Sequence, residues 1–187
     1  MSNKLQVTAV ILAGGKSSRM GKDKTLLPFG GYPTLTHFCY ARFSEIFKSV
    51  YVSSKEQKFV PNLPLIKDDF DSFSPMGALA VILEKFNDEF IFINPADMPF
   101  TSQNVIKTLY ENLNEVKICV AKDKEFTHSL CGFYHSSLAL KAKELYEKGE
   151  HKIGLLFKEA NFKSIEFDEK FYNINYPNEY ENLKERV

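Results

Sequence analysis

The 187-residue sequence contains no tryptophan and only three cysteines, Cys39, Cys119 and Cys131, none in a C-x-x-C spacing. An odd, scattered set argues against a disulfide framework and against a structural zinc site, and predicts buried free thiols. Net charge is also missing, because 24 lysines and arginines balance 24 aspartates and glutamates. No global field therefore recruits nucleic acid or an anionic membrane. There is no run of 18 apolar residues, and the first residues do not read as an apolar signal segment. The expectation is a soluble, cytoplasmic protein of one domain, residues 1–187. His37, His135 and His151 have no metal-ligand spacing and read as ordinary helix or loop residues.

What the chain does have is one concentrated loop. Residues 12–24 read Leu-Ala-Gly-Gly-Lys-Ser-Ser-Arg-Met-Gly-Lys-Asp-Lys and follow Val7-Thr8-Ala9-Val10-Ile11, whose apolar, β-branched content predicts a buried strand. Gly14, Gly15 and Gly21 permit sharp bends and close approach to an anion, while Lys16, Arg19, Lys22 and Lys24 gather positive charge. Two common glycine loops fail by register. A Walker A loop ending at Gly21-Lys22 needs Gly where Lys16 stands and Ser or Thr where Asp23 stands, and G-x-G-x-x-G fails because Lys16 follows two residues after Gly14. The remaining chemistry is phosphate binding. Backbone N–H groups around Gly14, Gly15 and Lys16 can cradle oxygens, with Arg19 as a bidentate fork and Lys24 as a compact, mobile charge. Lys16 and Lys22 equally suit solvated positions.

Past the loop, Leu35, Phe38, Cys39, Phe43, Ile46 and Phe47 keep helical spacing after Pro33, and residues 49–53 read as a second strand. Leu65-Ile66 is a short strand running into Lys67-Asp68-Asp69, and Pro75-Met76-Gly77 opens a helix that continues to Phe86. Phe90-Ile91-Phe92-Ile93, the most strand-like run, ends in Asn94-Pro95-Ala96-Asp97-Met98-Pro99. Residues 105–113 and 138–146 read as helical, 116–121 and 130–134 as extended, and a last amphipathic helix follows Pro177. This alternation predicts an α/β fold of three layers, a mostly parallel sheet with helices on both faces, whose ligands collect at carboxyl strand ends. Residues 12–24, Asp68-Asp69 and Asp97 all fall at such ends. Taken alone, Asp97 fits a turn or cap as well as a magnesium ligand, and Asp68 fits a plain acidic turn.

The loop closely resembles the L-A-G-G-x-S-x-R-M-G-x-D-K signature of nucleotidyltransferases, and the likeness to the MobA family of molybdenum cofactor guanylyltransferases runs from about Val7 to the final helix. Asp97 matches the family's D-x-P motif. Ser74-Pro75-Met76-Gly77 resembles G-P-L-x-G, with Ser74 for Gly and Met76 for Leu, and residues 173–177 resemble N-x-N-T-P, with Tyr176 for Thr. The resemblance implies a Rossmann-like nucleotidyltransferase fold that transfers GMP from GTP to the terminal phosphate of molybdopterin cofactor and releases pyrophosphate. It implies catalytic roles for Arg19, Lys24 and Asp97, with Asp97 holding Mg2+ between nucleotide and acceptor. Nucleotide contacts are implied at Leu12, Ala13, Gly14, Gly15, Lys24, Ser53 and Asp68, and pterin contacts at Asn173 and Asn175. Ser53 stands where relatives frequently carry Asn. His128 matches a position on the acceptor side and reads as a binding or structural residue, since an ionised phosphate needs no base to attack. Partners implied are GTP, molybdopterin cofactor and, transiently, proteins that deliver or accept that cofactor, with neither nucleic acid nor membrane.

Two rival readings remain at this level. The loop reads phosphates, so a cytidylyltransferase for the same cofactor, or an enzyme acting on a sugar or alcohol phosphate, shares it. A non-catalytic nucleotide sensor or cofactor carrier on the same fold is the second.

Overall fold

The computed structural model describes residues 4–15, 20–70 and 74–187. Its strands are β1 (Leu5–Leu12), β2 (Phe47–Ser54), β3 (Leu65–Lys67), β4 (Phe90–Pro95), β5 (Ile118–Lys122), β6 (Thr127–His135) and β7 (Phe162–Glu166). The α-helices are α1 (Leu35–Ser44), α2 (Pro75–Glu84), α3 (Gln103–Glu111), α4 (Ala139–Glu147) and α5 (Pro177–Lys184). One sheet runs in the order β3-β2-β1-β4-β6-β5-β7. β1 pairs in parallel with β2 and β4, β2 with β3, and β5 with β7. Only β6 runs against its two neighbours, because the tight turn after β5 leaves no room for a crossover.

The core explains the layers. In β1, Ala9, Val10 and Ile11 are all fully buried, the continuous apolar pattern of a strand covered on both faces. Ala9 and Ile11 pack into the layer of α1, α3 and α5, while Val10 packs with α2 and α4. Phenylalanine supplies the aromatic mass that tryptophan does not. Phe47 stacks on Phe92 with centroids 5.1 Å apart, and Phe43 meets both rings edge-on at 5.8 Å.

Three readings of the sequence are corrected here. Helix α1 stops at Ser44, and Phe47 begins β2. The helical spacing runs on past the helix because Phe47 buries in the same layer as Phe43. Both His128 and His135 lie within β6, one expected before the strand and the other in a helix or loop. β7 was not anticipated, since it is an edge strand whose five residues are at most half-buried and present no apolar run. The three cysteines are free and buried, as expected.

Candidate active site

The registers Leu12↔Ser53 and Leu12↔Pro95 bring the carboxyl ends of β2, β1 and β4 level. From β1 the chain crosses through α1 to β2 on one side, while β4 lies on the other, so a crevice opens at this switch point. It contains a cavity of about 380 Å³ whose wall includes Leu12, Gly14, Gly15, Ser53, Asp68 and Asp97, together with Ser74, Pro75 and Leu130. Six residues singled out from the sequence thus share one cavity. Ala13 lies buried beneath, its N–H donating to the Ser53 carbonyl at 2.9 Å. Arg19 and Lys16 lie outside the described residues. Lys22 is exposed. Gly21 turns the loop back with φ +67°, a conformation that favours glycine.

Asp23 then caps the short turn Lys24–Leu26, its Oδ1 accepting from Thr25 N at 3.0 Å and Thr25 Oγ1 at 2.6 Å. This cap directs Lys24 across the site. Its Nζ donates to Asp97 Oδ2 at 2.6 Å, to the Ile174 carbonyl at 2.7 Å and to Asn175 Oδ1 at 3.4 Å. A loop lysine, a strand-end aspartate and the C-terminal N-x-N segment therefore converge.

Asp97 is held by the bonding of its turn. Fully buried Asn94 donates to the carbonyls of Pro95 (2.8 Å) and Met98 (3.1 Å) and accepts from Thr101 Oγ1 at 2.7 Å. Arg42 donates to the Pro99 carbonyl and, at 3.4 Å, to that of Thr101. Ile174 N donates to the Asp97 carbonyl at 2.9 Å. At the other end of the N-x-N segment, Tyr176 has no short hydroxyl to cap α5, and Glu179 instead accepts the N–H groups of Asn175 (2.7 Å) and Tyr176 (3.0 Å).

Burial pushes the Asp68 carboxyl up, against the opposing effects of a Phe70 N–H bond and the Lys55 charge. Asp68 N donates to the Ser54 carbonyl at 3.0 Å, which joins the ends of β2 and β3.

One residue went unread in the sequence. Lys58, from the turn-rich stretch after β2, donates to Asp23 Oδ2 at 2.6 Å and to the Ala13 carbonyl at 3.0 Å. It thereby ties together the entry and exit of the glycine loop. Burial acts to raise the Asp23 carboxyl, but the bonds from Lys58 and Thr25 outweigh it and leave the group below its ordinary range. No motif marked Lys58, because its partners lie 45 and 35 residues away.

Asn173 does not line the cavity at the loop. It lines a second one of about 410 Å³, with residues 123–126, His128 and residues 167–171. Between the two asparagines, Ile174 carries the bonds to Lys24 and Asp97, so this segment spans from one cavity to the other.

Comparison with known proteins adds to this geometry. Residues 9–162 match the MobA-like NTP transferase domain. The chain belongs to this family. A molybdenum cofactor guanylyltransferase of Campylobacter jejuni is 46% identical, with 97% of each chain covered. Among solved structures, molybdopterin-guanine dinucleotide biosynthesis protein A of Archaeoglobus fulgidus superposes with a TM-score of 0.80 at 20% identity, covering 96% of this chain and 98% of that one. A Mycobacterium tuberculosis protein solved in complex with manganese matches with a TM-score of 0.68 at 16% identity, covering 98% and 100%. The family is one of nucleotidyltransferases, and the mostly parallel sheet with helices on both faces is its fold.

Proposed function

We propose that this chain, a single nucleotidyltransferase domain over residues 1–187, transfers GMP from GTP to the terminal phosphate of molybdopterin cofactor, forming the guanine dinucleotide cofactor and pyrophosphate. The observation that carries the reading is the meeting of Lys24, Asp97 and Asn175, with Asp97 in the wall of one cavity and Asn173, two residues before Asn175, in the wall of the other. A transferase for two large substrates needs one site for each and its charged groups between them.

In this reading the triphosphate lies along Gly14 and Gly15, with Ala13 beneath and Leu12 and Ser53 towards the base. Asp68 accepts from the ribose or base. Arg19 and Lys24 supply positive charge to oxygens that gain negative charge as the acceptor phosphate attacks the α-phosphorus and pyrophosphate departs. Asn173 and Asn175 face the acceptor. Asp97 fits a magnesium site, because its residue lines the cavity at the glycine loop. Mg2+ takes this kind of donor set, one carboxylate completed by phosphate oxygens and water, and when bound it neutralises phosphate charge. No helix among the described residues is long and apolar enough to cross a membrane. A GTP-consuming reaction belongs in the cytoplasm, where transient contact with proteins that supply or receive the cofactor completes the scheme.

Pyrophosphate release from GTP, Mg2+ and molybdopterin cofactor tests the reading. Asp97→Ala is expected to lose about a hundredfold or more in rate with the fold retained. Equal rates in the two proteins remove the metal role, and no release from the wild type favours the non-catalytic sensor. Preference for CTP over GTP in the same assay overturns the guanine assignment.

A further inference from the structure

Asp68 after β3, and Ser74 and Pro75 at the entrance of α2, line the cavity at the glycine loop. What ties them together comes from the end of α4, 77 residues beyond Ser74. Helix α4 closes at Gly149, φ +80°, whose N–H donates to the Tyr146 carbonyl at 2.9 Å, while Glu150 N–H donates to that of Leu145 at 3.0 Å. This pair of bonds is a glycine-terminated helix end that reverses the chain. It brings the His151 ring back to that of Tyr146, with centroids 5.7 Å apart at 72°. His151 Nδ1 then bonds Ser74 Oγ at 2.8 Å. The same Oγ accepts the Gly77 N–H at 3.2 Å and so caps α2. A hydroxyl has one donor and two acceptor directions, so the two bonds hold the Ser74 side chain and leave it one direction more.

Tyr146 reaches the Asp68 side. Its ring centroid lies 4.2 Å from that of Phe70, and Phe70 N–H donates to Asp68 Oδ1 at 3.2 Å. Lys55 donates to the Phe70 carbonyl and holds this turn from the end of β2. Phe70 and Tyr146 both press on the first turn of α2, where a Cβ at Gly77 would lie 2.9 Å from the Phe70 ring and 3.1 Å from that of Tyr146. Close approach therefore requires glycine there. Asp68, Phe70, Tyr146, His151 and Ser74 thus form one chain of contacts that starts and ends on residues lining the cavity.

We propose that Tyr146 and His151 are positioning residues for the nucleotide, a brace from the end of α4 that sets the Asp68 carboxylate and the entrance of α2 at the spacing a bound nucleotide needs. The proposal rests on the reading above, in which nucleotide occupies this cavity. It adds two residues that neither line the cavity nor belong to its motifs.

The test separates nucleotide binding from turnover. His151→Phe keeps a ring against Tyr146 and removes the bond to Ser74. It is expected to raise the GTP KM, and the Kd of a fluorescent GTP analogue, about fivefold, with kcat and the acceptor KM within about twofold. His151→Asn, whose amide reaches the position of Nδ1, recovers most of the loss. Tyr146→Leu opens both arms of the brace and shifts the same two constants in the same direction. The exposed His151 carries the test should Tyr146→Leu fail to fold. Because His151 acts through Ser74, adding His151→Phe to Ser74→Ala is expected to cost no more than Ser74→Ala alone. Unchanged GTP KM and analogue binding in His151→Phe, or losses that multiply in the double variant, overturn the brace while the transferase reading stands. A loss spread equally over kcat and both KM values overturns it too, since that marks general loosening. A wild type that does not bind the analogue overturns the nucleotide reading and the brace with it.

Discussion

Lys24 and Lys58 differ in how visible they are. Lys24 lies in a dense motif, whereas Lys58 lies in a loop without one, and only the fold brings it to Ala13 and Asp23. The same holds for the cavities. Leu12, Gly14 and Gly15 were legible because a strand and its following loop are contiguous, but the second cavity, with Asp123 and the ring of Phe171, is assembled from distant segments. Lys58 acts as a positioning residue, since Asp23 also caps the turn that directs Lys24. Lys58→Met is expected to raise the GTP KM about tenfold with a smaller change in kcat, and Lys58→Arg, which can still bind Asp23, to recover part of it. Steady-state kinetics with GTP varied at saturating acceptor measures this, and unchanged GTP KM counts against the role. The pair also has a pH signature. Asp23 is held below its ordinary value of 3.8 in the folded state. Its contribution to stability is therefore present above that value and lost as pH falls through the lower, folded-state value. Urea unfolding of wild type and Asp23→Asn is expected to differ near neutrality and to converge in acid below 3.8.

At the scale of elements, strands buried on both faces announced themselves as unbroken apolar runs, which is why β1 and β4 were legible. β7 was not, because an edge strand packed on one side needs no such pattern. The reversed direction of β6 was equally hidden, since strand direction follows from the length of the connection and not from the strand's own residues. The turn after β4 shows what such reading does and does not supply. Its Asp97 stood out, but the bracket that holds it, Asn94 with Thr101 and the carbonyls of Pro95 and Met98, depends on burial. Asn94→Ala removes these three bonds and leaves buried polar groups unpaired, a cost of about 2–3 kcal/mol. The expected outcome is a lower denaturation midpoint together with a fall in kcat, because the turn no longer fixes Asp97. A loss of stability with kcat unchanged would separate the bracket from the chemistry.

For the whole molecule, zero net charge conceals a division between a basic glycine loop and an acidic second cavity, both at the same end of one sheet. Motions that open the layer of α1, α3 and α5 would disturb both, and the cysteines are placed to report such motions. Cys39 on α1, Cys119 on β5 and Cys131 on β6 belong to this one apolar layer. Burial pushes the thiols of Cys39 and Cys131 up to about 12 and that of Cys119 to about 11, which leaves almost no thiolate near neutrality. Reaction with a thiol reagent then requires the layer to open. If it opens as a unit, all three label at one common slow rate, and GTP with Mg2+, binding the closed form, slows them by a common factor. Mass spectrometry of timed labelling measures the three rates separately. Faster labelling of Cys39 alone would assign the weakest point to α1, the helix whose Arg42 holds the Asp97 turn, and would couple nucleotide binding to that helix rather than to the layer as a whole.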